Sequence, residues 1–131
     1  MGLKFWGSPW TPTVPLEISM MQWAFEKDRG QLKEKWDKIP AGLDVLVTHG
    51  PPYGNLGGTL NDGLDVGDHE LRDAIMEKKP RLHLCGHIHP GFGNRVYKGM
   101  RFVNSALYRN DFIDFLSKKP QIINLDPRKE A

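Results

Sequence analysis

The sequence predicts an α/β fold, a sheet of the parallel kind layered with helices, and three observations carry that reading. Two apolar runs without polar alternation, Leu43-Asp44-Val45-Leu46-Val47 and Arg81-Leu82-His83-Leu84-Cys85, have the composition of strands covered on both faces. A helical pattern precedes each run. Each run ends in a histidine turn, Val47-Thr48-His49-Gly50-Pro51-Pro52 and Gly86-His87-Ile88-His89. In α/β sheets, ligand sites gather at the carboxyl ends of strands.

Taken in order, Leu3 to Trp6 reads as a short strand that opens abruptly and breaks in Gly7-Ser8-Pro9-Trp10-Thr11-Pro12, where prolines forbid regular structure. Between Pro15 and Arg29, Met20, Met21, Trp23, Ala24 and Phe25 form a dense apolar patch that fits either a packed turn or a short helix. Gln31 to Lys38 has Leu32, Trp36 and Ile39 on one helical face, and Pro40 and Gly42 end it. The segment from Gly54 to Gly67 carries glycines at 54, 57, 58, 63 and 67, and a loop of that length within a compact domain is usually functional or mobile. Asp68 is placed to cap a helix over His69 to Lys79 with Leu71, Ala74 and Ile75 on its apolar face; Pro80 stops it. Val96-Tyr97, Met100 to Val103 and Gln121 to Leu125 read as a terminal strand set with turns at Lys98-Gly99 and Lys118-Lys119-Pro120. Pro127 to Ala131 reads as a loose tail.

The 131 residues form one domain, residues 1–131, complete or partial. A net charge of +2 without a basic stripe argues against a dedicated nucleic-acid surface. No apolar run is long enough for a membrane span, and the start lacks the apolar core of a secretory signal. One cysteine, Cys85, excludes an internal disulfide and fits a reducing, cytoplasmic setting.

The chemistry lies in the histidines. His87 and His89, one residue apart after Gly86, can fan out from a turn, and His49 is aimed by Gly50-Pro51-Pro52. A metal ion is the commonest reason to gather imidazoles at strand ends. Tyr53 and Asn55, just past His49, are candidates to touch substrate, and Asn104 is a candidate to orient a ligand histidine. His83 reads as a core residue, and the four tryptophans as packing rather than as pocket walls.

Thr48-His49-Gly50 and Gly86-His87-Ile88-His89 resemble the last two of five ordered motifs of the calcineurin-like metallophosphoesterases. Gly7-Ser8-Pro9-Trp10-Thr11-Pro12, His49-Gly50-Pro51-Pro52 and Phe102-Val103-Asn104-Ser105 are similar to the branch of metallophosphoesterase-domain-containing proteins. The resemblance implies the C-terminal portion of a four-layer α/β/β/α sandwich and hydrolysis of a small phosphodiester or nucleotide. It implies two divalent ions, Mn, Fe or Zn, in the complete site, with His49 and His87 on one and His89 on the other. The D-x-H, G-D-x-x-D and G-N-H motifs are absent, and Gly67-Asp68-His69-Glu70 falls in the wrong order to replace them. No general acid or base is therefore assigned. The chain reads as a phosphoesterase portion, as an inactive metal-binding or regulatory remnant, or as one half of a split enzyme completed by another chain or a second copy.

Overall fold

The computed structural model describes residues 2–14, 24–108 and 117–127. Met20, Met21 and Trp23 of the apolar patch, and the tail beyond Pro127, lie outside the described residues. Five strands form one sheet: β1 (Phe5–Ser8), β4 (Val45–Thr48), β5 (Leu82–Cys85), β6 (Gly93–Tyr97) and β7 (Met100–Asn104), in the order β1-β4-β5-β7-β6. The first four in that order pair in parallel, and β6 returns antiparallel on β7. The return is made by Lys98 and Gly99, both at positive φ, a turn conformation whose twist suits a hairpin. β2 (Thr11–Pro12) and β3 (Glu26–Lys27) form a separate two-stranded pair.

Helices α1 (Lys33–Trp36) and α2 (His69–Lys78) connect the strands. Asp68 caps α2 by accepting the Glu70 N–H at 3.2 Å, and its other oxygen accepts the Trp36 indole N–H at 2.6 Å. One carboxylate thus starts α2 and fixes α1 against it. Burial raises the Asp68 pKa, and the Trp36 and Glu70 bonds offset part of that rise.

Strand parity divides the core. Leu46, Met100 and Phe102 face Leu32, Trp36, Ile39, Leu71 and Ile75, with Trp6 and Trp10 packed at the margin. Val45, Leu82 and Val103 face the other way and are covered in part by Ile123 and Leu125. Toward β1 that second face is open, with Phe5 63% and Val47 39% exposed. The buried end of β4 is secured by Asp44, which accepts the Lys4 N–H at 2.8 Å and lies 3.4 Å from the Arg81 guanidinium.

Three expectations are corrected. The first strand runs over Phe5–Ser8 rather than Leu3 to Trp6, because an edge strand needs a ladder on one side only and tolerates Gly7 there. The first helix keeps only Lys33–Trp36 of the expected Gln31 to Lys38. Gln121 to Leu125 alternates as a strand would, with Ile123 half-buried and Ile122 88% exposed, but joins no ladder; it lies across the sheet face. No helix among the described residues is long and apolar enough to cross a membrane.

Candidate functional site

β4 and β5 are neighbours in parallel register, Val45 opposite Leu82 and Val47 opposite Leu84, so the turns after them emerge side by side. The Gly86 N–H donates to the His49 carbonyl at 3.0 Å and ties the two turns together. The Thr48 hydroxyl donates to the Gly50 carbonyl at 2.7 Å and closes the first turn on itself. In the second turn, the Ile88 N–H returns to the Gly86 carbonyl at 2.7 Å across His87, which sits at φ 68°. A three-residue turn with a non-glycine centre at positive φ is the strained form, and such strain costs on the order of 1–3 kcal/mol. It persists because both flanks are held.

Asn104 is one of the holders. It is 0% exposed at the end of β7. Its amide donates to the Ile88 carbonyl at 2.9 Å and to the Gly57 carbonyl at 2.8 Å, and its oxygen accepts the Ala106 N–H at 3.0 Å. It grips the backbone between His87 and His89, where the sequence reading placed its action on a ligand ring. It also fastens the glycine-rich loop to the same point. Gly91 and Gly57 are matched there: a Cβ on Gly91 would collide with the Gly57 carbonyl.

The rings of His49 and His87 lie with centroids 4.4 Å apart at 40°. His87 Nε2 is buried and finds no hydrogen-bond partner among the described residues. Burial, helped by the neighbouring His49 and His89, pushes the His87 pKa down to about 4, so the ring is neutral at pH 7. His89 is turned toward Tyr108, stacked at 4.8 Å and 26°. The Lys118 ammonium bridges the His89 carbonyl at 2.9 Å and the Tyr108 carbonyl at 3.1 Å. The structure therefore pairs His49 with His87 and sets His89 on the adjoining turn. Among the described residues, no three His, Cys, Asp or Glu side chains are grouped to hold a metal ion.

Tyr53 and Asn55 are engaged within the loop. Tyr53 stacks on His69 at 3.8 Å and 19°. Asn55 donates its N–H to Asp65 at 2.7 Å and accepts from the Thr59 hydroxyl at 3.1 Å. Asp65 also accepts the N–H groups of Gly54 and Gly67, both at 2.9 Å, and the Arg29 guanidinium holds the Gly67 and Val66 carbonyls. A glycine-rich segment expected to be functional or mobile is held by one carboxylate and one guanidinium. Cys85 is buried, and burial pushes its thiol up to about 12.

The sequence reading passed over Thr48 and His83 as site residues. His83 lies on the helix-facing side of β5 and is 1% exposed. Its signal was available: it stands in register beside Leu46, on the side of the sheet to which Thr48 also points.

No protein-family model matches the chain. It is 38% identical over 126 residues to the UPF0046 protein T07D4.2 of Caenorhabditis elegans, a match covering 95% of this chain and 30% of the relative. It is 40% identical over 108 residues to metallophosphoesterase domain-containing protein 1 of Homo sapiens, covering 81% of this chain and 31% of the relative. A second Caenorhabditis elegans relative, the UPF0046 protein C25E10.12, is 38% identical over 113 residues, covering 81% and 37%. The chain spans about a third of the length of these curated relatives.

Proposed function

The chain belongs to a metallophosphoesterase-like family, and from that premise we propose that it contributes the histidine side of a metal-assisted phosphoester-hydrolysing site. The observation that carries the reading is the buried, unpartnered Nε2 of His87 beside the His49 ring. A buried ring nitrogen with no partner costs free energy, and a bound cation would remove that cost. The donor set is imidazole, which suits Zn²⁺, Mn²⁺ or Fe rather than Ca²⁺ or Mg²⁺.

His87 and His49 would hold the ion, with His89 offering a further nitrogen from the next turn. A divalent ion in such a site polarises a phosphate and lowers the pKa of bound water. The chain's own part is positional. The left-handed turn at His87 and the carbonyl bonds around His49 fix the two rings, and Asn104 holds the backbone between His87 and His89. Tyr53 and Asn55, a few residues past His49, would offer substrate contacts, with a small phosphodiester or nucleotide as the substrate class. The setting proposed is the reducing cytoplasm, on the single unpaired cysteine. The sheet described here would form one layer pair of a four-layer sandwich, its open face at Phe5 and Val47 covered by a complementing chain or a second copy.

A second reading is favoured by the absence of the D-x-H, G-D-x-x-D and G-N-H motifs from this sequence. In it, the chain keeps one ion and does no hydrolysis. Both readings predict bound metal, and elemental analysis beside Mn²⁺-dependent hydrolysis of bis-p-nitrophenyl phosphate separates them. Metal with turnover supports the enzyme; metal without turnover supports the binding module. His87→Ala removes most of the metal in either case, and unchanged metal content in that variant would sink the site.

A further inference from the structure

Beneath the strand-end histidines a fourth imidazole is built into the sheet. His83 packs edge-on against Phe102, with centroids 5.9 Å apart at 60°. Its Nε2 lies 2.7 Å from Thr48 Oγ1, and that same oxygen lies 2.7 Å from the Gly50 carbonyl oxygen. A hydroxyl has one hydrogen, and a carbonyl can only accept. The Thr48 hydrogen therefore points to Gly50, and the Thr48 oxygen accepts from His83. This assigns the His83 hydrogen to Nε2 and leaves a bare lone pair on Nδ1, which has no partner among the described residues. The other tautomer would bury an unpaired N–H donor at Nδ1 and make Nε2 and the Gly50 carbonyl compete for one hydrogen.

We propose that His83 and Thr48 form a positioning relay that sets the turn carrying His49 and so places its ring beside His87. The peptide units on either side of the turn are both engaged: the His49 carbonyl accepts from Gly86, and the Gly50 carbonyl accepts from Thr48. Gly50 is packed so closely that a Cβ there would stand 2.7 Å from Thr11 Oγ1, so the turn is also confined by Thr11. Burying an imidazole to 1% exposure with one nitrogen unsatisfied is costly. The N–H that reaches Thr48 gives the residue a purpose that a leucine at the same place would not serve. His83 and Thr48 are positioning residues; neither is hydrogen-bonded to the His87 nitrogen.

The relay rests on the metal-site reading only for what the held ring is for; the tautomer and the turn geometry stand without it. Long-range ¹H–¹⁵N spectra of the histidine rings in the unmodified chain should show His83 as the Nε2–H tautomer with slow exchange. Thr48→Val, which keeps the side-chain volume and removes the hydroxyl, should shift the His49 ring resonances. It should also weaken Zn²⁺ binding by about 10- to 100-fold, the range typical of residues that orient a ligand. Thr48→Ser should restore both. His83 found as the Nδ1–H tautomer would overturn the relay, as would His49 resonances and Zn²⁺ affinity unchanged in Thr48→Val. If the unmodified chain binds no Zn²⁺, the metal-site reading fails, and the His49 shift in Thr48→Val still decides the relay. Should Thr48→Val not fold, the tautomer in the unmodified chain and the Thr48→Ser spectrum decide it instead.

Discussion

Asn104→Ala tests how the histidine turn is held. Three hydrogen bonds disappear together, and their losses differ. The Gly57 carbonyl is buried and has no second donor among the described residues, so its loss should cost about 1–3 kcal/mol. The Ile88 carbonyl also accepts the Gly91 N–H at 3.0 Å, so it loses one of two bonds, about 0.5–1.5 kcal/mol. The Ala106 N–H is half-buried and can turn to water, so its share lies at the low end of that range. The sum is about 3 kcal/mol, a large part of the roughly 5–15 kcal/mol that holds a domain of this kind together. Urea unfolding followed by tryptophan fluorescence, with EDTA present so that no metal contributes, reads the difference directly. Asn104→Asp separates hydrogen bonding from packing. It keeps the volume and the acceptor for Ala106 but turns a carboxylate toward two carbonyls, so it should be at least as damaging as alanine. A loss below about 1 kcal/mol in both variants would refute the view that this side chain bears the turn.

Acid should weaken the fold through its neutral histidines. Burial holds His83 at about 3 and His87 at about 4, against an ordinary 6.5. The unfolded chain therefore takes up protons first as pH falls. This stability is fully present above pH 6.5 and is lost as pH falls toward the native values, with His83 alone contributing a drop of about 2 kcal/mol between pH 7 and pH 5. Denaturant titrations at the two pH values should show that drop and a smaller one in His83→Gln; an equal drop in both would remove His83 as its source. Gly91→Ala should destabilise by about 1–3 kcal/mol or more, because the new methyl meets the Gly57 carbonyl and the Asn104 amide rather than a yielding side chain. Thermal melts would show it, and a neutral Gly91→Ala would mean that the loop over Gly57 can move aside.

Much of the frame was legible because its signals are local. The β4 and β5 runs could be read from residue type alone, since strands covered on both faces need no alternation. Asp68 declared itself as a cap by standing before an apolar-periodic helix. Lys98-Gly99 marked the hairpin by chemistry that permits positive φ. What escaped was non-local. Thr11–Pro12 pairs with Glu26–Lys27 across an intervening segment, and two-residue strands have no pattern to find. Gln121 to Leu125 has the right alternation, but alternation reports one covered face and not a hydrogen-bonded neighbour. The histidine turns were legible because a glycine stands beside each, Gly50 after His49 and Gly86 before His87. The meeting of His49 with His87, and the departure of His89 toward Tyr108, depend on turn geometry that residue names do not encode. Thr48 and His83 were missed because each, alone, looks like ordinary strand material.

The pairing order of the sheet also bears on how the chain comes together. The β6–β7 hairpin joins Tyr97 to Met100 across two residues, whereas β5 meets β7 only after the histidine turn and the hairpin have been laid down. Val45 must then find Leu82, and Phe5 must find Val45. Loop closure favours the short contacts first, so the β6–β7 hairpin and then the β5–β7 pair should form ahead of β4–β5 and β1–β4, whose partners lie further apart in the chain. Until β4 docks on β5, the His49 and His87 turns stand apart, because the Gly86 N–H reaches the His49 carbonyl only across that pair.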